Sequence, residues 1–150
     1  MSIEVSFNGS NERVVSYIRN TGRRVVVELL REMERQMIML RDRVVATKLS
    51  GQVLKNRTGT LRRSQHYSVT QTETSITGIV STDPAASKYG AVHEYGGSYT
   101  VRAHLRKGHL VKSHTVTFSE RSFLRSTLRE STPGIMDGLR AAVQRAIKES

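Results

Sequence analysis

Ile3, Val5 and Phe7 alternate with polar neighbours, which is the period of a half-buried strand, and Asn8-Gly9 then turns the chain. Ser10 or Asn11 can cap a helix with Glu12 in its first turn, and helical pattern runs over residues 11–49. Asn20-Thr21-Gly22 breaks or kinks that run, since glycine costs about 1 kcal/mol inside a helix. Beyond the break the apolar positions are Val26, Leu30, Met33, Met37, Leu40 and Val44. Their alternating spacings of four and three make a heptad-like seam, but a coiled coil needs more heptads, so the preferred reading is one long helix lying across a sheet. Residues 22–49 would span roughly 40 Å at 1.5 Å per residue, long enough to leave an end over for a neighbour.

Ser50-Gly51 ends the helix, and residues 51–57 follow neither period and read as a loop. Thr58 or Thr60 can cap a single helical turn around Leu61. Residues 66–72 and 74–81, rich in Thr, Ser, Val and Ile, predict a β-hairpin. Asp83 as N-cap, Pro84 at the first position and Gly96-Gly97 at the end predict a short helix over Pro84–Tyr95. Tyr89, Val92 and either His93 or Ala91 then share a face. Glu94 falls in the last turn, where the helix dipole disfavours a carboxylate, so it needs a partner and an arginine is the expected one. A second hairpin follows, turning at Lys107-Gly108, with Arg102, His104 and Arg106 on one face; over residues 98–118 it is long enough to project from the body. Ser119 or Glu120 starts a helix through Phe123, Leu124 and Leu128, which Ser131-Thr132-Pro133 interrupts and restarts. Ile135, Leu139, Ala142, Val143 and Ile147 give the last amphipathic stretch. The fold class expected is α+β: an antiparallel or mixed sheet packed against a long N-terminal helix, with C-terminal helices and a projecting hairpin.

A length of 150 residues suits one domain, 1–150, and with three Phe and no Trp its core must be mostly aliphatic. No apolar run approaches the roughly 20 residues that cross a bilayer, no signal-peptide layout opens the chain, and zero cysteines exclude disulfides and thiolate chemistry. A protein made in the cytoplasm, with no membrane contact, is expected. The formal charge of +11 is uneven: residues 51–119 carry nine Lys or Arg against three Asp or Glu, whereas residues 1–50 carry nine against six. The basic middle favours nucleic acid or another polyanion, against the plainer reading of a solvated charged face.

Enzyme chemistry finds little support. His93-Glu94 looks like half of a zinc-protease motif, but Gly97 stands where the second histidine belongs. His104 and His109 can approach across the hairpin turn, yet nothing supplies further ligands or a second shell for a metal. No nucleophile elbow or phosphate-binding loop occurs, and acidic residues are too scattered for a two-carboxylate site. No catalytic residue, cofactor or metal is expected.

Three stretches carry a resemblance. Arg57-Thr58-Gly59-Thr60-Leu61-Arg62-Arg63-Ser64 is similar to Thr-Gly-x-Leu-x-x-Ser, residues 89–96 to Tyr-Ala-x-x-x-Glu-Tyr/Phe-Gly, and Arg121-Ser122-Phe123-Leu124-Arg125 to Arg-Pro-Phe-Leu-x-Pro. In this order and spacing the chain resembles the neck and tail-completion family (minor tail components) of long-tailed bacteriophages, along nearly its whole length. It departs at Gly90, where the family has alanine, and at Ser122 and Ser126, where it has prolines. The segment 101–117 is also longer and more basic than the family's. The resemblance implies a structural virion protein of the head–tail interface, present in the host cytoplasm during assembly. It would form a ring, commonly of six subunits, around the DNA path, between connector proteins and a tail terminator or tail tube.

In that light Arg57, Thr58, Gly59, Leu61, Ser64, Tyr89, Glu94, Tyr95, Gly96, Arg121, Phe123 and Leu124 are packing motifs. Glu94 would pair with Arg57, Arg62 or Arg121, with Arg121 the first choice, and the tyrosines would pack beside it. Arg62, Arg63, Arg102, Arg106, Lys107 and Lys112 are the candidates for contact with a partner protein or, non-specifically, with genomic DNA. The rival reading is a small basic cellular nucleic-acid-binding protein. It lacks a helix-turn-helix and the stacking aromatics usual in single-strand binders.

Overall fold

The computed structural model describes residues 1–8, 22–51, 54 and 59–148. Its elements, in order, are β1 (Ser2–Asn8), α1 (Arg23–Thr47), α2 (Thr60–Arg63), β2 (Gln65–Gln71), β3 (Ser75–Thr82), α3 (Pro84–Tyr95), β4 (Gly97–Val101), β5 (His104–Arg106), β6 (His109–Val111), β7 (His114–Phe118) and α4 (Leu124–Lys148). The fold is α+β, as the sequence pattern predicts. The expected helix over residues 11–21 and the loop residues Arg57 and Thr58 lie outside the described residues.

The main sheet is antiparallel with strand order β1-β3-β2. On β3 every second residue, Ile76, Gly78, Val80 and Thr82, is buried, and this face receives α1. The helix crosses where the strand has no side chain. A Cβ on Gly78 would lie 2.6 Å from Met37 Cγ and Sδ and 2.9 Å from Met33 Sδ. The flexible methionines thus occupy the space that glycine vacates. α4 packs along α1, and Val25, Leu29, Met33, Met37, Leu40, Val44, Ile135 and Leu139 join one core with Ile76 and Val80.

Several expectations need correction. The buried seam of α1 opens at Val25 and Leu29, leaving Val26 and Leu30 half-buried; from Met33 onward it follows the predicted positions. α2 is capped at Gly59, in the left-handed conformation with φ 71°, so the glycine and not a threonine holds the cap position. α3 has the predicted bounds, but the Asp83 carboxylate makes no cap bond; Oδ1 lies 2.7 Å from His66 Nε2 instead.

α4 starts at Leu124 rather than Ser119 or Glu120, and it runs unbroken through Pro133. An interior proline costs a helix about 3 kcal/mol because it deletes a backbone bond and crowds the preceding turn. Here Pro133 is exposed, while Thr127, Ile135, Leu139 and Ala142 on the other side are buried. Tertiary packing therefore carries the helix across the break.

The second hairpin is built as two ladders, β4 with β7 and β5 with β6, in one continuous register. Between them the ladder is interrupted on both strands. There the His104 Nδ1 lies 3.0 Å from the Arg102 carbonyl oxygen and the His114 Nδ1 lies 3.0 Å from that of Lys112. Lys107 and Gly108 both have positive φ, 52° and 81°, as a two-residue hairpin turn requires.

Candidate functional site

The site is built around Glu94, whose side chain is completely buried. A buried carboxylate is costly unless its lone pairs are filled. These are filled from the start of α4. Glu94 Oε2 accepts the backbone N–H groups of Phe123 at 2.7 Å and Leu124 at 2.9 Å. Oε1 accepts the Arg125 N–H at 2.8 Å, the Ser122 hydroxyl at 2.7 Å and Arg125 Nε at 3.1 Å. Ser122 Oγ in turn accepts the Ser126 N–H at 3.2 Å. All four amides that a helix leaves unsatisfied at its N-terminus are thus taken. Glu94 acts as the N-cap of a helix that begins thirty positions downstream. Ser122 is the local part of this cap, and the larger part comes from Glu94, at a distance no sequence spacing reveals. Burial alone would raise the Glu94 pKa, but the hydrogen bonds from Arg125, Leu124, Ser122 and Phe123 outweigh it and hold the carboxyl below its usual range.

The ion-pair partner is Arg125, not Arg121, Arg62 or Arg57 as anticipated: Arg57 lies outside the described residues, and Arg62 is exposed on α2. Arg125 also reaches the Glu94 carbonyl oxygen at 2.9 Å and Glu120 at 2.8 Å, and its guanidinium lies 4.5 Å from the centre of the Tyr95 ring. Arg121 serves through its backbone, donating its N–H to the His93 carbonyl oxygen at 2.7 Å. Nothing in the pattern Arg-x-Phe-Leu-x distinguishes the two arginines. What separates them is that Arg125 lies one residue into α4 and extends along Glu94.

The described parts of the three resembling stretches meet around Gly90, one helical turn before this carboxylate. Gly90 sits where a Cβ would meet Leu61 Cδ1 at 3.3 Å, Met1 Cε at 3.4 Å and Phe123 Cζ at 3.7 Å. Leu61, Phe123 and Leu124 are buried. Ser64 is buried too, its hydroxyl donating to the Leu61 carbonyl at 2.9 Å, while its own carbonyl accepts the Asp83 N–H at 2.9 Å. Gln65 adds a bond the motif does not announce, its Nε2 donating to the Leu61 carbonyl at 2.9 Å. Gly96, with φ 69°, admits no side chain: a Cβ there would lie 2.9 Å from the Glu120 nitrogen and 3.1 Å from the Phe118 oxygen.

His93 is the residue that sequence reasoning undervalued. It is buried edge-on between Tyr89, 4.5 Å away by ring centroids, and Phe118, at 5.5 Å. Neither ring nitrogen has a hydrogen-bond partner among the described residues. Burial, with help from Arg121, pushes its pKa below the ordinary histidine value, so it is neutral at pH 7. Tyr89, Tyr95 and Tyr99 are each about half exposed around it, with Tyr99 stacked on Phe118 at 5.8 Å. Tyr89 packs on His93, while Tyr95 approaches the Glu94 cluster through Arg125.

Of the candidate contact residues, Arg62, Arg63, Arg102, Arg106, Lys107 and Lys112 are all exposed, the first two on α2 and the rest on the hairpin. His109 opposes Arg106 and His104 opposes Val111, so the two histidines do not face each other across the turn. No helix among the described residues is long and apolar enough to cross a membrane. Comparison with protein-family models, with curated proteins and with solved structures finds no match.

Proposed function

We propose that this chain is a structural component of the head–tail junction of a long-tailed phage or phage-like particle, completing the tail and joining it to the head as one copy of a ring around the DNA path. The observation that carries the reading is the convergence of the three resembling stretches, described over residues 59–125, on one buried knot around Glu94 and Gly90. The knot holds both ends of the hairpin: α3 enters through Gly96, and α4 leaves from Phe123. Its chemistry is that of a clamp. A carboxylate with no solvent exposure and both oxygens filled has no lone pair to offer a substrate. What the clamp presents is an arm with four exposed cations and no acidic residue from Ser98 to Ser119. That arm is also what supports the rival reading, a small nucleic-acid-binding protein.

The test is made in the particle system that encodes the chain. Without the protein, filled heads and finished tails should accumulate unjoined, and gold-labelled antibody should mark the head–tail boundary of complete particles. Normal infectious particles in its absence would overturn the reading.

A further inference from the structure

No residue from Gly97 to Phe118 is buried, so the hairpin arm stands clear of the body and is held at its root. The root turns on two consecutive glycines with positive φ, Gly96 at 69° and Gly97 at 130°, a backbone suited to a hinge. Beside this hinge the arm is seated on His93. Phe118, the last residue of β7, lies edge to face with the His93 ring at 5.5 Å between centroids, and Tyr99 of β4 stacks on Phe118. Just past the arm, the Arg121 N–H donates to the His93 carbonyl oxygen at 2.7 Å.

For packing alone, histidine is a poor choice of seat. His93 is only 7% exposed, and neither ring nitrogen has a hydrogen-bond partner among the described residues. One N–H and one lone pair are therefore buried unpaired, at a cost that an apolar side chain of similar shape avoids. What histidine adds is a charge that appears in mildly acid solution. That charge would meet no counter-ion. The groups around the ring are Tyr89 on its own helix, Phe118 and, stacked on it, Tyr99 on the hairpin, and the Arg121 cation on the link to α4. No carboxylate lies within ion-pair distance of it among the described residues. Glu94, its neighbour in sequence, is turned to the start of α4 with both oxygens occupied. Burial first, and Arg121 second, hold the ring neutral while the arm is seated.

We propose that His93 is an acid-sensitive latch for the hairpin arm: the neutral ring seats Phe118 and Tyr99 against α3, and the protonated ring leaves this contact for water, so that the root opens on Gly96-Gly97. In the open arm the ring regains an ordinary histidine pKa, about 6.5. Below that value the open arm takes up a proton that the seated arm refuses, and the balance shifts toward opening as the pH falls. The latch is independent of the proposed function, since it concerns the arm's seat and not the arm's partner.

Amide hydrogen exchange of the whole protein tests this, read by NMR from about pH 7.5 to about pH 5 and corrected for the chemical exchange rate. The Arg121 amide, bonded to the His93 carbonyl, reports the root, and the amides of the β2–β3 ladder report the whole fold. Below about pH 6.5 the opening constant of the root should rise by up to about tenfold per pH unit, while the β2–β3 amides stay at least about tenfold better protected. His93→Leu should make root opening independent of pH. His93→Gln, which keeps a polar side chain without the charge, should do the same. Replacing the arm's own histidines, His104, His109 and His114, together by Gln should leave the response intact. A root whose opening ignores pH in the parent overturns the proposal. So does a response that survives in both His93 variants or vanishes in the triple variant, and so does a root that exchanges in step with the β2–β3 ladder at every pH.

Discussion

Glu94 Oε2 accepts the backbone N–H of Phe123 at 2.7 Å, and through this bond the end of one helix holds the start of another. The two neighbouring amides, the Ser122 hydroxyl and the Arg125 side chain complete the set. If the helix start is the main partner, Glu94→Gln should cost at least about 3 kcal/mol, because it turns an NH₂ toward amides that need an acceptor. Arg125→Ala should cost only about 1 kcal/mol, since that side chain is 43% exposed. Denaturant melts of the two variants decide it: equal losses would make the ion pair, not the cap, the main interaction.

Acid should lower the stability of the protein over two pH ranges. His93 is buried and neutral, with a pKa pushed below that of the unfolded chain, about 6.5. The stability it lends is full above that value and falls as the pH drops toward its folded value. Glu94 is likewise lowered relative to the unfolded carboxyl, about 4.3. Its contribution is full above that point and is lost as the pH falls through its folded value. His93→Leu should erase the first decline, leave the second, and raise stability at neutral pH by removing two unsatisfied buried nitrogens. A steeper decline near pH 6 in the variant would contradict this account.

Two glycines should respond in opposite senses to alanine. At Gly78 the new methyl meets two methionine side chains at 2.6–2.9 Å, and overpacking of this kind costs about 1–3 kcal/mol. At Gly90 the nearest atoms, Leu61 Cδ1 and Met1 Cε at 3.3–3.4 Å, are terminal methyls that can give way. Alanine there recovers up to about 1 kcal/mol of helix propensity. Thermal melts should place Gly78→Ala below and Gly90→Ala at or above the parent. The alanine of the resembling family at this position is therefore compatible with the packing seen here.

What could be read from the sequence follows from where each cause lies. The hairpin of β2 and β3, the bounds of α3 and the turn at Lys107-Gly108 are set by neighbours in sequence, and alternation, caps and glycines announce them. The first turns of α1 offer adjacent apolar pairs, Val25-Val26 and Leu29-Leu30, so periodicity alone cannot choose the buried member; packing chooses Val25 and Leu29. Glu94 announced its need for a partner by sitting at the wrong end of a helix. Its main partner was illegible, because a cap supplied from thirty positions away leaves no spacing to find. Pro133 misled for the related reason that the force holding α4 together comes from across the core.

The basic surface should bind DNA weakly and without regard to sequence. Under the proposed function, a ring that lets a genome pass contacts phosphates and not bases. Arg62 and Arg63 on α2 and Arg102 and Arg106 on the hairpin are exposed and suited to that role. Phosphate contact releases counterions, so affinity should fall steeply with salt and reach the non-specific range, about 1–100 µM, at physiological ionic strength. Each true contact removed, as in Arg102→Ala, should lower the salt slope by about one and weaken two unrelated duplexes alike. Filter binding across a salt series measures all of this. A marked preference for one duplex would overturn the structural reading and favour a cellular DNA-binding protein, whereas no binding even at low salt would assign the cations wholly to protein partners.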